Sequence, residues 1–399
     1  MRVLISGAGI AGPALALWLH RAGAEVTVVE RTERPRPGGH AVDIRGVARG
    51  VVELMGLRER IREQQVDERG CALIDGRGRR LAELPVDAFG GEGIVAEIEI
   101  ARGDLARILL DATSGQAGYR FGDRITALTQ DRDGVDVTFA GGTSERYDLV
   151  VGADGVRSGV RGLAFGPDER YVRFLGAYSA YFSVPDPGDL DHWLLMYNAP
   201  GGRVANVRPE RGGTANASLS FREPEPRFDR LSRAEEQRVL AERMSGAGWR
   251  VDELLAAMPG AGDFYFDSIS QVRVDRWWRG RVVLLGDAGY CGSPLAGMGT
   301  SFGLVGAYVL AGELAEADGP EQAFAAYQDR MAAYVAGGMA LPPGGISGFA
   351  PRSRAMIRLR ALSMRMMTRW PSRQFLAKQF AKAEAITLRD YPALALPRR

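Results

Sequence analysis

The sequence predicts an α/β fold: a parallel sheet with helices on both faces, interrupted by an antiparallel-sheet domain and followed by a C-terminal helix. Three observations predict it. Glycine-rich turns at residues 7–12 and 286–299 each sit between an apolar strand and a helix, nearly 280 residues apart. Between them, residues 171–221 alternate apolar and polar side chains, carry aromatics, and turn at Gly201-Gly202 and Gly212-Gly213. From Pro351 onward the chain is arginine-rich with helical spacing of its apolar residues. A chain of 399 residues also exceeds one comfortable core, so two lobes are expected.

The elements follow in order. Residues 3–6 form an apolar strand, 14–21 an amphipathic helix stopped by Gly23, and 26–30 a second strand, giving one βαβ unit of Rossmann type. A Pro/Arg/Gly-rich loop (34–39) precedes a helix near 47–62. Residues 71–100 read as short strands around Asp75-Gly76 and Gly90-Gly91. Residues 102–111 are helical, with Asp104 in the first turn where the helix dipole favours it and within reach of Arg102. A hairpin arm follows Asp133-Gly134, and 147–152 reads as one buried strand. After the alternating block come helices at 233–244 and 251–258, a strand at 264–274, and a return to α/β character at Arg281. On the final helix, Met356, Leu359, Met366, Met367 and Trp370 share one face; Arg354, Arg358, Arg365 and Arg369 share the opposite one. Packing of the apolar face on the protein is the preferred reading, and a lipid surface the lesser one.

Composition excludes several functions. With 51 basic and 49 acidic residues the chain is too balanced to favour nucleic acid. Two cysteines and three histidines, all scattered, leave no metal-ligand spacing. The chain opens at once on a strand, without signal-peptide character, and a cytoplasmic location is expected. Residues 288–312 carry no charge, but seven glycines and Pro294 interrupt them, so a buried loop and helix is expected in place of a membrane span.

The chemistry lies in the turns. In Gly7-Ala8-Gly9-Ile10-Ala11-Gly12, Gly7 permits the tight exit from the strand, Gly9 lets the backbone approach a pyrophosphate, and Gly12 lets helix and sheet pack closely. Free N–H groups at the helix start face the phosphates, and Glu30, 18 residues beyond Gly12, can accept from ribose hydroxyls. The second turn places Asp287 after Arg281-Val282-Val283-Leu284-Leu285, where a buried carboxylate requires a polar partner. Its loop, Ser293-Pro294-Leu295-Ala296-Gly297-Met298-Gly299-Thr300, offers backbone N–H groups to a pyrophosphate or a flavin edge. Two such turns suit a long ligand gripped at two points, and FAD is one.

These turns, with Asp148-Leu149-Val150-Val151-Gly152-Ala153-Asp154-Gly155 continuing to Ser158 and Arg161, resemble the group A FAD-dependent monooxygenases, the family of para-hydroxybenzoate hydroxylase and the tetracycline-inactivating enzymes. The resemblance runs from Met1 to about Leu314. It implies a discontinuous FAD-binding domain (1–70, 97–165, 273–335), an inserted substrate domain (71–96, 166–272) and a C-terminal helical segment (351–386). It implies FAD contacts for Gly7, Gly9, Gly12, Glu30, Arg31, Arg102, Asp154, Asp287, Pro294, Gly297 and Gly299, and NADPH or FAD contacts for Arg36 and Asp43. The sequence departs from the family at Gly289-Tyr290, where relatives read Ala-His, and at Ser301 and Gly306-Ala307.

The implied reaction is hydroxylation of an aromatic or polyketide-like small molecule: NAD(P)H reduces FAD, molecular oxygen adds to give a C4a-hydroperoxide, and one oxygen atom is transferred. No side chain is required as nucleophile and no general base is identifiable. Arg203 and Arg208 read as solvated, and Phe264-Tyr265-Phe266 as core. An oxidase or reductase on the same scaffold, or a non-catalytic FAD-fold binding protein, remains the alternative.

Overall fold

The computed structural model describes residues 1–35, 38–89, 96, 98–229, 231–367 and 381–395. Arg36, the Gly90-Gly91 turn, Arg369 and Trp370 lie outside the described residues.

The fold is the expected α/β one, and a six-stranded sheet sets the position of everything that matters for function. Arg2–Ser6 runs parallel between Glu25–Glu30 and Leu149–Gly152, with Val282–Leu284 next along and Gly118–Phe121 on the other side. Trp278–Arg279 closes one edge antiparallel. Strands covered on both faces must be apolar throughout, and Val3, Leu4, Ile5, Val150, Val151 and Val283 are all fully buried. Because Val282–Leu284, Leu149–Gly152 and Arg2–Ser6 are neighbours and parallel, their C-terminal turns leave the same edge side by side. That edge is where ligands bind in such sheets.

The first turn is held by close backbone approach. Gly7 has φ +109° and abuts Ala153, while a Cβ on Gly12 would overlap the Gly7 carbonyl oxygen. Gly12→Ala is therefore expected to cost about 3 kcal/mol of stability even without ligand, read by urea denaturation of the apoprotein.

Two elements differ from the sequence reading. Residues 147–152 are not one strand: Ser144–Tyr147 belongs to a three-stranded meander with Ile125–Gln130 and Val135–Phe139, and Leu149–Gly152 to the parallel sheet. The break falls at Asp148, whose carboxylate accepts the Arg2 N–H (2.6 Å) and whose own N–H donates to the Arg2 carbonyl. The helix near 47–62 is two, Val47–Met55 and Arg58–Glu63, because Gly56 adopts the left-handed conformation (φ +77°) and ends the first.

The second large sheet has eight strands: Tyr290–Cys291, Tyr265–Arg273, Val172–Pro185, Thr214–Arg222, Arg203–Pro209, Trp193–Ala199, Gly70–Ile74 and Arg80–Pro85 in spatial order. Its two faces differ sharply. On the outer face Tyr178, Ala180, Phe182, Ala205, Val207, Ala217, Leu219, Phe221 and Phe266 are buried with residues of the helices Arg233–Met244 and Val251–Ala257. The alternate positions form a polar inner face: Ser179 bonds Ser220 (2.7 Å) and Asn206 bonds Ser218 (2.9 Å). At its centre Tyr181, Asn206 and Ser218 are only half-buried. Tyr290–Cys291, which continues the third motif, is an edge strand of this sheet, paired with Val272 and Arg273. One short strand therefore joins the glycine turn to the polar face.

Residues 288–312 form a loop and the buried helix Gly299–Glu316, as expected, and no helix among the described residues is long and apolar enough to cross a membrane. The helix Arg354–Met367 packs differently from its sequence reading. Ala361 and Met364 are buried against Leu84 and Met196, whereas Met356, Leu359 and Met366, assigned to the packing face, are exposed. Residues 381–395 then return to the first lobe, where the Tyr391 ring fills the space over Gly312 and its hydroxyl donates to Glu313 (2.6 Å).

Candidate functional site

The parallel register brings the three turns to one edge, and side chains from separate segments close around them. In the first turn the Ala8 N–H donates to Glu30 Oε2 (3.0 Å), while Glu30 Oε1 accepts from the Thr32 N–H and hydroxyl. Oε2, with one donor, keeps a further lone pair for a ligand. A Cβ on Gly9 would meet only the end of the Arg102 side chain, 3.3 Å away. Arg102 opens the helix Arg102–Thr113, but it does not pair with Asp104, which is held by Arg107 (2.7 Å). No carboxylate among the described residues pairs with its guanidinium, which stands free beside Gly9. Arg31 is exposed.

Asp154 is committed to the protein. It accepts from Ser6 Oγ (3.2 Å), the Val160 N–H (3.2 Å) and Ser158 Oγ, bracing the Gly7 turn against the helix Gly159–Ala164. Arg161, fully buried, continues the brace by donating to the carbonyl of Ala288 (2.8 Å) in the third motif.

The third turn carries unmet polar groups. Asp287 Oδ1 is buried without a hydrogen-bond partner and lies 3.6 Å from where a Gly299 Cβ would stand. Burial holds its carboxyl above the usual carboxylate range. Ser293 adopts φ +74°, rare for a residue with a side chain, and its buried hydroxyl is also unpartnered. Pro294 is exposed and Gly297 and Gly299 are half-exposed, so the loop backbone is open to a ligand. Gln271 Nε2 clamps it by donating to the carbonyls of Gly292 (3.2 Å) and Met339 (2.9 Å). Lys382 was not singled out from sequence. Its ammonium donates to the carbonyls of Ala296 (3.3 Å), Gly338 (3.4 Å) and Ala340 (3.2 Å), and sequence spacing gives no hint of that.

The family departures explain one another. Tyr290 points away from the loop to Tyr327 and Trp277, and a Cβ at Gly306 would overlap its hydroxyl. The glycine thus makes room for the tyrosine. Ser301 accepts from the Arg45 N–H (3.2 Å), fixing the segment after Asp43 to the start of the helix Gly299–Glu316.

Asp43 sits in a buried charge cluster that the sequence reading missed. Its carboxylate accepts from Arg45 Nε (3.0 Å) and Nη2 (2.8 Å) and lies 3.6 Å from a Cβ position on Gly297. It faces Glu99 across the two-stranded pairing of Ala41–Asp43 with Glu99–Ala101. Arg208, read as solvated, is largely withdrawn from solvent instead, bidentate on Glu68 (2.8 and 2.8 Å) and bonded to Glu99. Burial pushes the Glu99 carboxyl well above its ordinary range. Burial acts the same way on Asp43, but Arg45 and a hydrogen bond from Glu99 hold it below. The partners come from four distant segments, so no local spacing reveals them.

His40 packs at a tilt against Tyr181 (centroids 4.7 Å apart), joining the Gly38-Gly39 turn to the polar face. Burial, then Arg102 and Arg208, depress its imidazole to about 4, against a smaller opposing effect of Asp43. A depressed pKa means the unfolded chain takes up the proton first, so stability is lost as pH falls from about 6.5 toward 4. His40→Asn is expected to remove about 2 kcal/mol of the parent's loss between pH 7 and pH 5, measured by urea titrations at both.

The arrangement fits an FAD-type dinucleotide: an open glycine beside a free guanidinium, a ribose acceptor, and a carboxylate with one unpartnered oxygen next to an open loop. The chain belongs to the group A FAD-dependent monooxygenase family, its residues 1–337 matching the FAD binding domain. It is 39% identical over 335 residues to a flavin-dependent monooxygenase from an unknown prokaryotic organism, covering 84% of this chain and 86% of that one. It is 43% identical over 352 residues to an uncharacterized protein of Mycobacterium tuberculosis, covering 88% and 94%. Among solved structures, tetracycline destructase Tet(51) matches with a TM-score of 0.82 at 33% identity, covering 98% of this chain and 99% of that one.

Proposed function

We propose that this enzyme uses NAD(P)H, FAD and molecular oxygen to hydroxylate an aromatic or polyketide-like small molecule held on the inner face of the eight-stranded sheet. The observation that carries the reading is the pairing of an unpartnered Asp287 Oδ1 and open loop on one side with a half-exposed polar floor of Tyr181, Asn206 and Ser218 on the other.

In this reading Gly7, Gly9, Gly12 and Arg102 hold the pyrophosphate, Glu30 a ribose, and Asp287 a sugar-chain hydroxyl, with Arg31 near the adenosine half. Pro294, Gly297 and Gly299 present loop N–H groups to the ring, and Asp43 supports that loop from beneath. Asp154 braces the turn through its three donors, and its place beside the cofactor rests on the resemblance. Arg36 is assigned to NADPH on resemblance alone. Bound FAD, once reduced, supplies the activated oxygen. The protein's share is to exclude water, orient the substrate and accept its proton. Asp267, paired with the Tyr265 hydroxyl (2.6 Å) and opposite Ser179 on the inner face, is a carboxylate able to take a phenolic proton.

The likeness to a tetracycline destructase favours polycyclic phenols as first candidates. The test is NADPH and NADH oxidation by the purified yellow protein with a panel of such compounds. Oxidation accelerated by a compound that gains one oxygen atom supports the proposal. Reduction of bound FAD with every compound recovered unchanged counts against it.

A further inference from the structure

The helix Arg354–Met367 has two apolar faces, and the protein uses one. Ala361 and Met364 are buried beneath it. Leu359 (65% exposed), Leu362 (53%) and Met366 (48%), spaced three and four apart, form a second stripe in solvent, with Met356 (39%) beside it. Charge is segregated to the same segment. Between Arg330 and Glu384 there are nine arginines and lysines and no carboxylate, in a chain whose totals are 51 and 49. Arg354, Arg358 and Arg365 border the stripe on one side, exposed, and Arg354 and Arg358 pair with no carboxylate among the described residues.

We propose that this face docks on an anionic lipid surface, its aliphatic stripe among the acyl chains and its arginines at the headgroups. A second copy placed on the same face would set arginine against arginine. An acidic protein partner would find, among the described residues, a shallow aliphatic strip without an aromatic anchor or pocket, which is poor ground for specific recognition. A bilayer needs neither. The attachment is peripheral, since 14 helical residues do not span a membrane.

Cosedimentation of the FAD-loaded protein with phosphatidylcholine vesicles, with and without phosphatidylglycerol at about one part in three, tests the proposal. Binding at least ~10-fold stronger to the anionic vesicles is expected. Leu359→Ser with Leu362→Ser, and separately Arg354→Glu with Arg358→Glu, should abolish it at unchanged FAD content. No binding by the parent, equal binding to both vesicles, or parental binding by the serine variant overturns the proposal. So does a parent dimer that the serine variant dissolves in the absence of any vesicle binding, which would assign the face to a second copy.

Discussion

Gly9→Val is expected to yield a folded, colourless protein. A side chain there meets only the flexible end of Arg102 at 3.3 Å, and Gly9 does not occupy the left-handed region, so the apoprotein should keep its stability to within about 1 kcal/mol. The valine would instead occupy the space a pyrophosphate needs. FAD affinity should fall at least ~100-fold, about 3 kcal/mol, read by fluorescence titration and by absorbance of the purified protein. The contrast with Gly12 is the control, because its Cβ would strike the Gly7 carbonyl whether or not a ligand is present. A yellow, stoichiometric Gly9→Val protein would remove the first turn from the cofactor site.

The second large effect is expected at Asp287 and has opposite signs in the two states. Without ligand, Oδ1 is buried and unpartnered, so Asp287→Asn should stabilise the apoprotein by about 1 kcal/mol at neutral pH. The sign follows from linkage. Burial raises the folded-state pKa, so the parent loses stability as pH rises through and above the ordinary carboxylate range, while the asparagine does not. With FAD, the same change should weaken binding ~10-fold, since an ionised acceptor facing a hydroxyl is lost. Unchanged FAD affinity would make the third turn structural only.

These two positions were legible because their chemistry is written locally. Strand, glycine turn, helix and acid follow one another within 30 residues at the N-terminus, and Asp287 sits against its own loop. What sequence concealed is long-range. Asp43, Glu68, Glu99 and Arg208 meet only because a two-stranded ribbon is laid beside the large sheet, and a lone arginine on an alternating strand looks solvated until its partners arrive. Tyr290 and Gly306 were each visible as departures, but only packing shows that one accommodates the other. The final helix misled for a different reason: a helical wheel identifies apolar faces, and with two of them it cannot say which is buried. Asp287 itself reversed an expectation. A buried carboxylate was expected to be fully satisfied, and the unpartnered Oδ1 is what points to a ligand.

The most direct measurement of the central claim is product analysis after turnover under isotopically heavy molecular oxygen, with NADPH and a substrate that accelerates its oxidation. One labelled oxygen atom in the product is predicted, with the label lost when ordinary oxygen replaces the heavy gas. An oxidised or reduced product without label, formed at the same rate, would contradict oxygen transfer and assign this FAD-binding scaffold to dehydrogenation or reduction.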